Sequence, residues 1–212
     1  MPNLPISGLP PADALDGAEL FAIVQDGVTK YTTLDSITYA PGASYGLFAQ
    51  TANSIPVTAT TTETTLINGG IGTLSVPANG FNIGDSFRGI FGGVLNAANN
   101  QTIRIRVKTG AVILLDSGNQ PITNIANDIF SLNIDFTIRT LGGAGVASIV
   151  SLGSFHYTKT SNATVQGFAF NVVNNTTFNT TIPNTLDVTV QWGSNNAGNS
   201  IYSDIFVLNK IY

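Results

Sequence analysis

The sharpest polar feature of the chain is a row of cations at alternate positions, Arg104, Arg106 and Lys108. A side-chain period of two along a strand puts all three on one face. Such a row fits an anionic glycan or a phosphate, because guanidinium groups hold oxyanions by paired, charge-assisted hydrogen bonds. The competing and favoured expectation is a solvent-facing row, paired across strands or subunits with Asp135 or Asp116. Nucleophilic chemistry has little to draw on. There is no cysteine and one histidine, His156, between Phe155 and Tyr157 in a strand-like stretch. It is expected to be a strand side chain at a surface or a subunit contact. No HExxH, phosphate loop or EF-hand pattern occurs. Gly142-Gly143-Ala144-Gly145 reads as a hairpin tip, since no βαβ unit surrounds it. Glycan cleavage needs a pair of carboxylates. The seven acids after residue 40 are scattered over separate segments, beside one tryptophan, Trp192. The expectation is a protein that is not an enzyme, with no catalytic residues, no metal and no cofactor.

Whatever positions these residues is built from an unusual composition. Of 212 residues, 43% are hydrophobic and only 9% are charged, against ~25% charged in a typical soluble domain. Asn, Thr, Ser, Gln and Gly replace the charge. A surface of small neutral polar groups responds weakly to salt and pH. It also suits packing against copies of itself, because charges are depleted at interface cores. No apolar run approaches the ~20 residues that cross a bilayer, and no signal-type leader opens the chain, so no membrane partner is expected. The net charge of −4 argues against nucleic acid. That charge is uneven. Residues 1 to 40 hold Asp13, Asp16, Glu19, Asp26 and Asp35 against Lys30, whereas seven acids balance seven bases in the remainder. Two parts follow, an attachment segment over 1–40 and a domain over 45–212.

Four prolines in residues 1 to 12 predict an extended start. Phe21 to Gln25 and Val28 to Thr32 then predict a hairpin about Asp26-Gly27. Residues 33 to 37 suggest one helical turn. From Tyr45 onward strand-like segments alternate with turn clusters such as Asn79-Gly80, Asn99-Asn100 and Ser194-Asn195-Asn196. Ile122 to Phe130 is the one place that could hold a short helix, with a composition poor for one. The fold class is therefore all-β, an antiparallel β-sandwich of jelly-roll type with a short extended and hairpin anchor. Ile103, Ile105 and Val107, Leu132 to Ile138, and Val188, Val190 and Trp192 alternate with polar neighbours, as half-buried strands do.

The last segment does not alternate. Strict period two puts Ile201, Ile205, Val207 and Ile211 on one face, and Tyr202, Phe206, Leu208 and Tyr212 on the other. A strand apolar on both faces needs cover on both, so Tyr202, Phe206, Leu208 and Tyr212 are expected at a contact between subunits.

Leu4-Pro5-Ile6-Ser7-Gly8-Leu9-Pro10-Pro11, Ala14-Leu15-Asp16-Gly17-Ala18-Glu19-Leu20 and Val24-Gln25-Asp26-Gly27-Val28-Thr29 with Thr32-Thr33 together resemble the N-terminal attachment segment of bacteriophage virion proteins. These are tail fibres chiefly, with head fibres and spikes. The likeness covers about the first 37 residues. Leu186 to Trp192 and Ile201 to Tyr212 resemble the last strands of the trimeric jelly-roll heads of viral fibres and tumour-necrosis-factor-like proteins. The resemblance implies a structural virion protein, a short trimeric spike, fibre or capsid decoration on a capsid or tail. It implies attachment through Ile6, Leu9, Leu15, Leu20 and Val24, with itself and capsid or tail proteins as partners. No coiled-coil or β-helical shaft separates anchor from head, which favours a short spike over a long fibre. The alternative is a receptor-binding module of a phage tail that takes host surface glycans.

Overall fold

The computed structural model describes residues 20–33, 48–68, 75–160 and 163–211. The chain divides into two compact units, Met1–Ala43 and Ser44–Tyr212. The described part of the first unit is a hairpin of β1 (Leu20–Gln25) and β2 (Val28–Thr33). Gln25 pairs with Val28, which leaves Asp26-Gly27 as a two-residue loop. Both loop residues have positive φ, 54° and 74°. That geometry matches the right-handed twist of the strands, and Asp-Gly adopts it at low cost. The hairpin expected from the sequence is thus present. The helical turn expected at 33–37 lies, from residue 34 on, outside the described residues, and Thr33 closes β2.

The second unit begins with short strands: β3 (Phe48–Ala49), β4 (Val57–Thr58), β5 (Thr64–Thr65) and β6 (Ser75–Val76). Then come β7 (Ser86–Ala97), β8 (Gln101–Thr109), β9 (Val112–Asp116), β10 (Gln120–Ile122) and β11 (Ile125–Thr140). The last four are β12 (Ser148–Lys159), β13 (Thr164–Asn174), β14 (Asn184–Trp192) and β15 (Ser200–Lys210). They form two antiparallel sheets. The seven-stranded sheet runs β13-β12-β11-β7-β15-β3, with β4 also on β15. The six-stranded sheet runs β10-β8-β14-β5, with β9 on β8 and β6 on β14.

Two stretches of chain wrap this sandwich side by side. β7 pairs with β15 from Phe87↔Lys210 to Asn96↔Ser200. Both then cross to the other sheet, where β8 pairs with β14 from Ile103↔Trp192 to Thr109↔Leu186. A paired ribbon that changes sheets together is jelly-roll winding. β11, β12 and β13 instead form a meander. The fold is all-β and sandwich-like, as the spacing of strands and turns implies.

The core lies between the sheets. Phe87, Phe91 and Leu95 of β7, Leu132, Ile134 and Phe136 of β11 and Phe155 of β12 meet Ile103, Ile105 and Val107 of β8 and Val188, Val190 and Trp192 of β14. The indole N–H of Trp192 donates to the Val57 carbonyl at 3.0 Å, so the largest buried side chain leaves no polar group unpaired. Two expectations need correction. Ile122 to Phe130 holds no helix; Ile122 ends β10 and Ile125 opens β11. A bulge between Ile125 and Asp128, with Asn127 at φ 52°, lets Ile125 and Phe130 both reach the core.

The second correction concerns β15. Its register with β7 shifts between Ser203 and Ile205, so Asp204 is an extra residue. Beyond a bulge the alternation changes phase. Ile201, Ser203, Phe206 and Leu208 therefore share the core face. Phe206 stacks on Phe91 with centroids 3.8 Å apart. Phe206 and Leu208 are core residues and do not form the subunit contact expected of them. Gly93 makes the bulge feasible: a Cβ there would sit 2.0 Å from the Tyr202 carbonyl oxygen.

Candidate functional site

The two outer faces of the sandwich differ in kind. On the six-stranded sheet, β8 projects Arg104, Arg106 and Lys108 outward as the period of two requires. Arg104 Nε donates to Asp116 Oδ1 at 2.8 Å. Arg106 reaches Glu63 Oε2 at 2.8 Å, with Asp116 Oδ2 at 3.5 Å from its Nε. Lys108 Nζ donates to Glu63 Oε1 at 3.1 Å. Thr189 and Gln191 of β14 complete the network. The Thr189 hydroxyl donates to Glu63 Oε1 at 2.6 Å, and Gln191 Oε1 accepts from Arg106 at 3.1 Å.

The electrostatics follow from these contacts. The Arg104 hydrogen bonds hold the Asp116 carboxyl below its ordinary range against the opposing effect of burial, helped by the Gly118 N–H and the Arg106 charge. The same pairing raises Arg104. Burial acts to raise Glu63, but hydrogen bonds from Thr189 and Lys108 and the charges of Arg106 and Lys108 outweigh it, and the carboxyl is lowered. Each cation of the row already has a carboxylate, so the row is paired as the favoured expectation held. The partner is Asp116 but not Asp135, which takes Arg88 Nε at 2.7 Å on the other sheet. Glu63, the hub of the network, lies 43 residues before Arg106 in a segment with almost no regular strand. No spacing rule points to it.

The outer face of the seven-stranded sheet carries Ile90 and Val94 of β7, Ile129 of β11, Leu152 of β12, Val165 and Val173 of β13, and Tyr202, Ile205 and Val207 of β15. The Arg88–Asp135 pair crosses it. His156 is exposed there, opposite Ser131 and Gly167. A depression of about 370 Å³ opens over β11, β12 and β13, lined by Asn133, Asp135, Leu152, Ser154, Ala169 and Asn171 with the Gly153–Phe170 pair beneath. A smaller cavity of about 60 Å³ lies among the core side chains Phe81, Phe87, Phe136 and Phe178. Its Thr109 and Asn184 are hydrogen-bonded to one another at 3.2 Å.

In the hairpin, Leu20, Ala22 and Val24 share a face with Thr29, Tyr31 and Thr33. Val24 and Tyr31 are each 75% exposed. Of the expected attachment residues, Leu20 and Val24 thus lie together, with Tyr31 between them as a residue the sequence reading passed over. Ile6, Leu9 and Leu15 lie outside the described residues, as does Tyr212. Among the described residues, no group of three or more His, Cys, Asp or Glu could hold a metal ion. No described helix is long and apolar enough to cross a membrane.

No family model matches the chain, and no curated protein matches it. Among solved structures, it is similar over 71% of its length to one described as an engineered GH43 glycoside hydrolase with endo-xylanase and exo-arabinofuranosidase activity. The identity is 14% and the TM-score 0.27, and the match spans 36% of that chain. A likeness that slight assigns neither fold nor activity.

Proposed function

We propose that this chain is a structural component of a virus particle, a short spike, fibre or capsid decoration whose sandwich is held to capsid or tail by the segment 1–40. The observation that carries the reading is the hairpin. Two strands alone are marginally stable in water. Here they present Leu20, Val24 and Tyr31 on one exposed face within an acidic segment that forms its own unit. Such a face acquires stability by docking on a larger body. The likeness of residues 1 to 37 to phage attachment segments supplies the kind of body. The cation row and the carboxylates of Glu63 and Asp116 are spent on one another, which fits a structural role.

The test is incorporation. Full-length protein carrying Val24→Asp and Tyr31→Asp should fold and remain soluble, since both side chains are 75% exposed, yet be lost from purified particles. Incorporation at the wild-type level would refute the anchor.

A further inference from the structure

The core face of a sheet should carry apolar side chains to its end, and at one end of the seven-stranded sheet it does not. Past Phe206 and Leu208 the alternation of β15 brings Lys210 to the core side, and ahead of Phe91 and Phe87 the alternation of β7 brings Asp85 there. Lys210 Nζ lies 2.8 Å from Asp85 Oδ1, with the two side chains only 10% and 6% exposed. We propose that this pair condenses to an amide, an intramolecular cross-link between the side chains of Lys210 and Asp85. Residues 1–40 take no part in it, so the cross-link and the anchor stand or fall separately.

Three features suit the pair to this reaction. The first is approach. A nitrogen within hydrogen-bond distance of one carboxylate oxygen stands about 3–3.5 Å from the carboxyl carbon, the range of a near-attack geometry. The second is the other oxygen. Asp85 Oδ2 accepts from the Asn82 N–H at 2.9 Å, so a fixed backbone donor sits where negative charge develops as the carbon is attacked. The third is the frame. The Asp85 N–H donates to the Asn82 carbonyl at 3.1 Å, the Ile138 N–H to the Asp85 carbonyl at 2.9 Å, and the Ile211 N–H to the Ser86 carbonyl at 2.8 Å. Backbone on both sides of the pair is thereby held, and groups so held can react with effective molarities of about 10⁵–10⁸ M.

The surroundings favour the product. Phe87, which pairs with Lys210 across the strands, and Leu208 line an apolar cavity with Phe81, Phe136 and Phe178. An ion pair kept from water recovers little of its lost hydration, whereas an amide has no charge to hydrate. Lys108 and Glu63 come nearly as close, at 3.1 Å, but they are 23% and 29% exposed, and Arg106 and Thr189 also hold that carboxylate in its charged form.

The step balances within the pair. One proton passes from the Lys210 ammonium to Asp85 Oδ1, and the freed lone pair of Nζ attacks Cγ. The Asn82 N–H holds the negative Oδ2 of the tetrahedral intermediate. A second proton moves from Nζ to Oδ1, the Cγ–Oδ1 bond breaks, and Oδ1 leaves as water. The Nζ–Cγ bond then ties the start of β7 to the end of β15. It restricts the unfolded chain across most of the second unit, as a disulfide does, in a protein with no cysteine.

The experiment is mass spectrometry of the full chain, folded at neutral pH and then denatured. Wild-type protein should weigh one water less than its sequence requires, and proteolysis should release a branched peptide that joins the Asp85 and Lys210 fragments. A succinimide at Asp26-Gly27 also loses one water, but it yields no branched peptide. Lys210→Arg keeps the cation while offering a poor nucleophile, and should show neither the branched peptide nor a deficit that depends on it. Should that variant fail to fold, the wild-type mass and peptide map still decide. Wild-type protein that is folded by circular dichroism and has its full sequence mass, or that yields no branched peptide, overturns the proposal.

Discussion

Neighbouring residues of β15 should respond very unequally to the same truncation. Phe206 is 0% exposed and stacks on Phe91, whereas Ile205 is 50% exposed on the outer face. A phenylalanine buries some 150–200 Å² of apolar surface, worth about 4–5 kcal/mol at 25 cal/mol per Å². The pocket left by Phe206→Ala is walled by a rigid sheet and closes poorly, so a loss of about 3–5 kcal/mol is expected. Ile205→Ala removes contacts to the Gly92 backbone and half of a side chain already wet. It should cost under about 1 kcal/mol. Urea unfolding of the full chain reads both values. The reasoning rests on the phase change at Asp204. Were Ile205→Ala the costlier change, strict alternation from Ile201 would hold and the bulge would be wrong.

Three further outcomes follow from local chemistry. The Ser151 hydroxyl is fully buried on the core face of β12 with no hydrogen-bond partner among the described residues, so Ser151→Ala should raise stability, by about 1 kcal/mol in thermal or urea unfolding. The Asn174 carboxamide oxygen accepts from the N–H groups of Thr176, Thr177 and Phe178, and its nitrogen donates to the Ile113 carbonyl at 2.9 Å. Asn174→Ala strands these groups and should cost about 2–3 kcal/mol, visible as a lower urea midpoint. Asp116 and Glu63 have folded pKa values below the ordinary 3.8 and 4.5. Their contribution is fully present above those ordinary values and is lost as pH falls through the depressed ones. Melting temperature should therefore drop on acidification below the ordinary range, with a shallower drop in Asp116→Asn.

Much of the fold is legible in residue order, because period-two alternation in Ile103 to Val107 or Val188 to Trp192 has one physical reading. The hairpin is legible for a different reason: Asp26-Gly27 is chemically suited to the positive φ its turn demands. What escapes is whatever depends on a single inserted residue or on distant pairing. Asp204 looks like any polar residue in a strand, yet it reverses the facing of everything after it, so strict alternation puts Phe206 and Leu208 on the wrong side. Asn127 hides a bulge in the same way, inside a stretch that otherwise suits a short helix poorly. Glu63 joins Arg106 and Lys108 only because β5 is laid against β14, a pairing of two residues that no local pattern announces. The cation row itself was readable, its partners only in part.

The central claim is that residues 1 to 40 hold a structural sandwich on a particle. Quantifying the protein in purified particles, wild type against full-length Val24→Asp/Tyr31→Asp, tests it most directly. Loss of the substituted protein from particles, with its sandwich still folded by circular dichroism, is the predicted result. Equal amounts of both proteins in the particles would contradict the account.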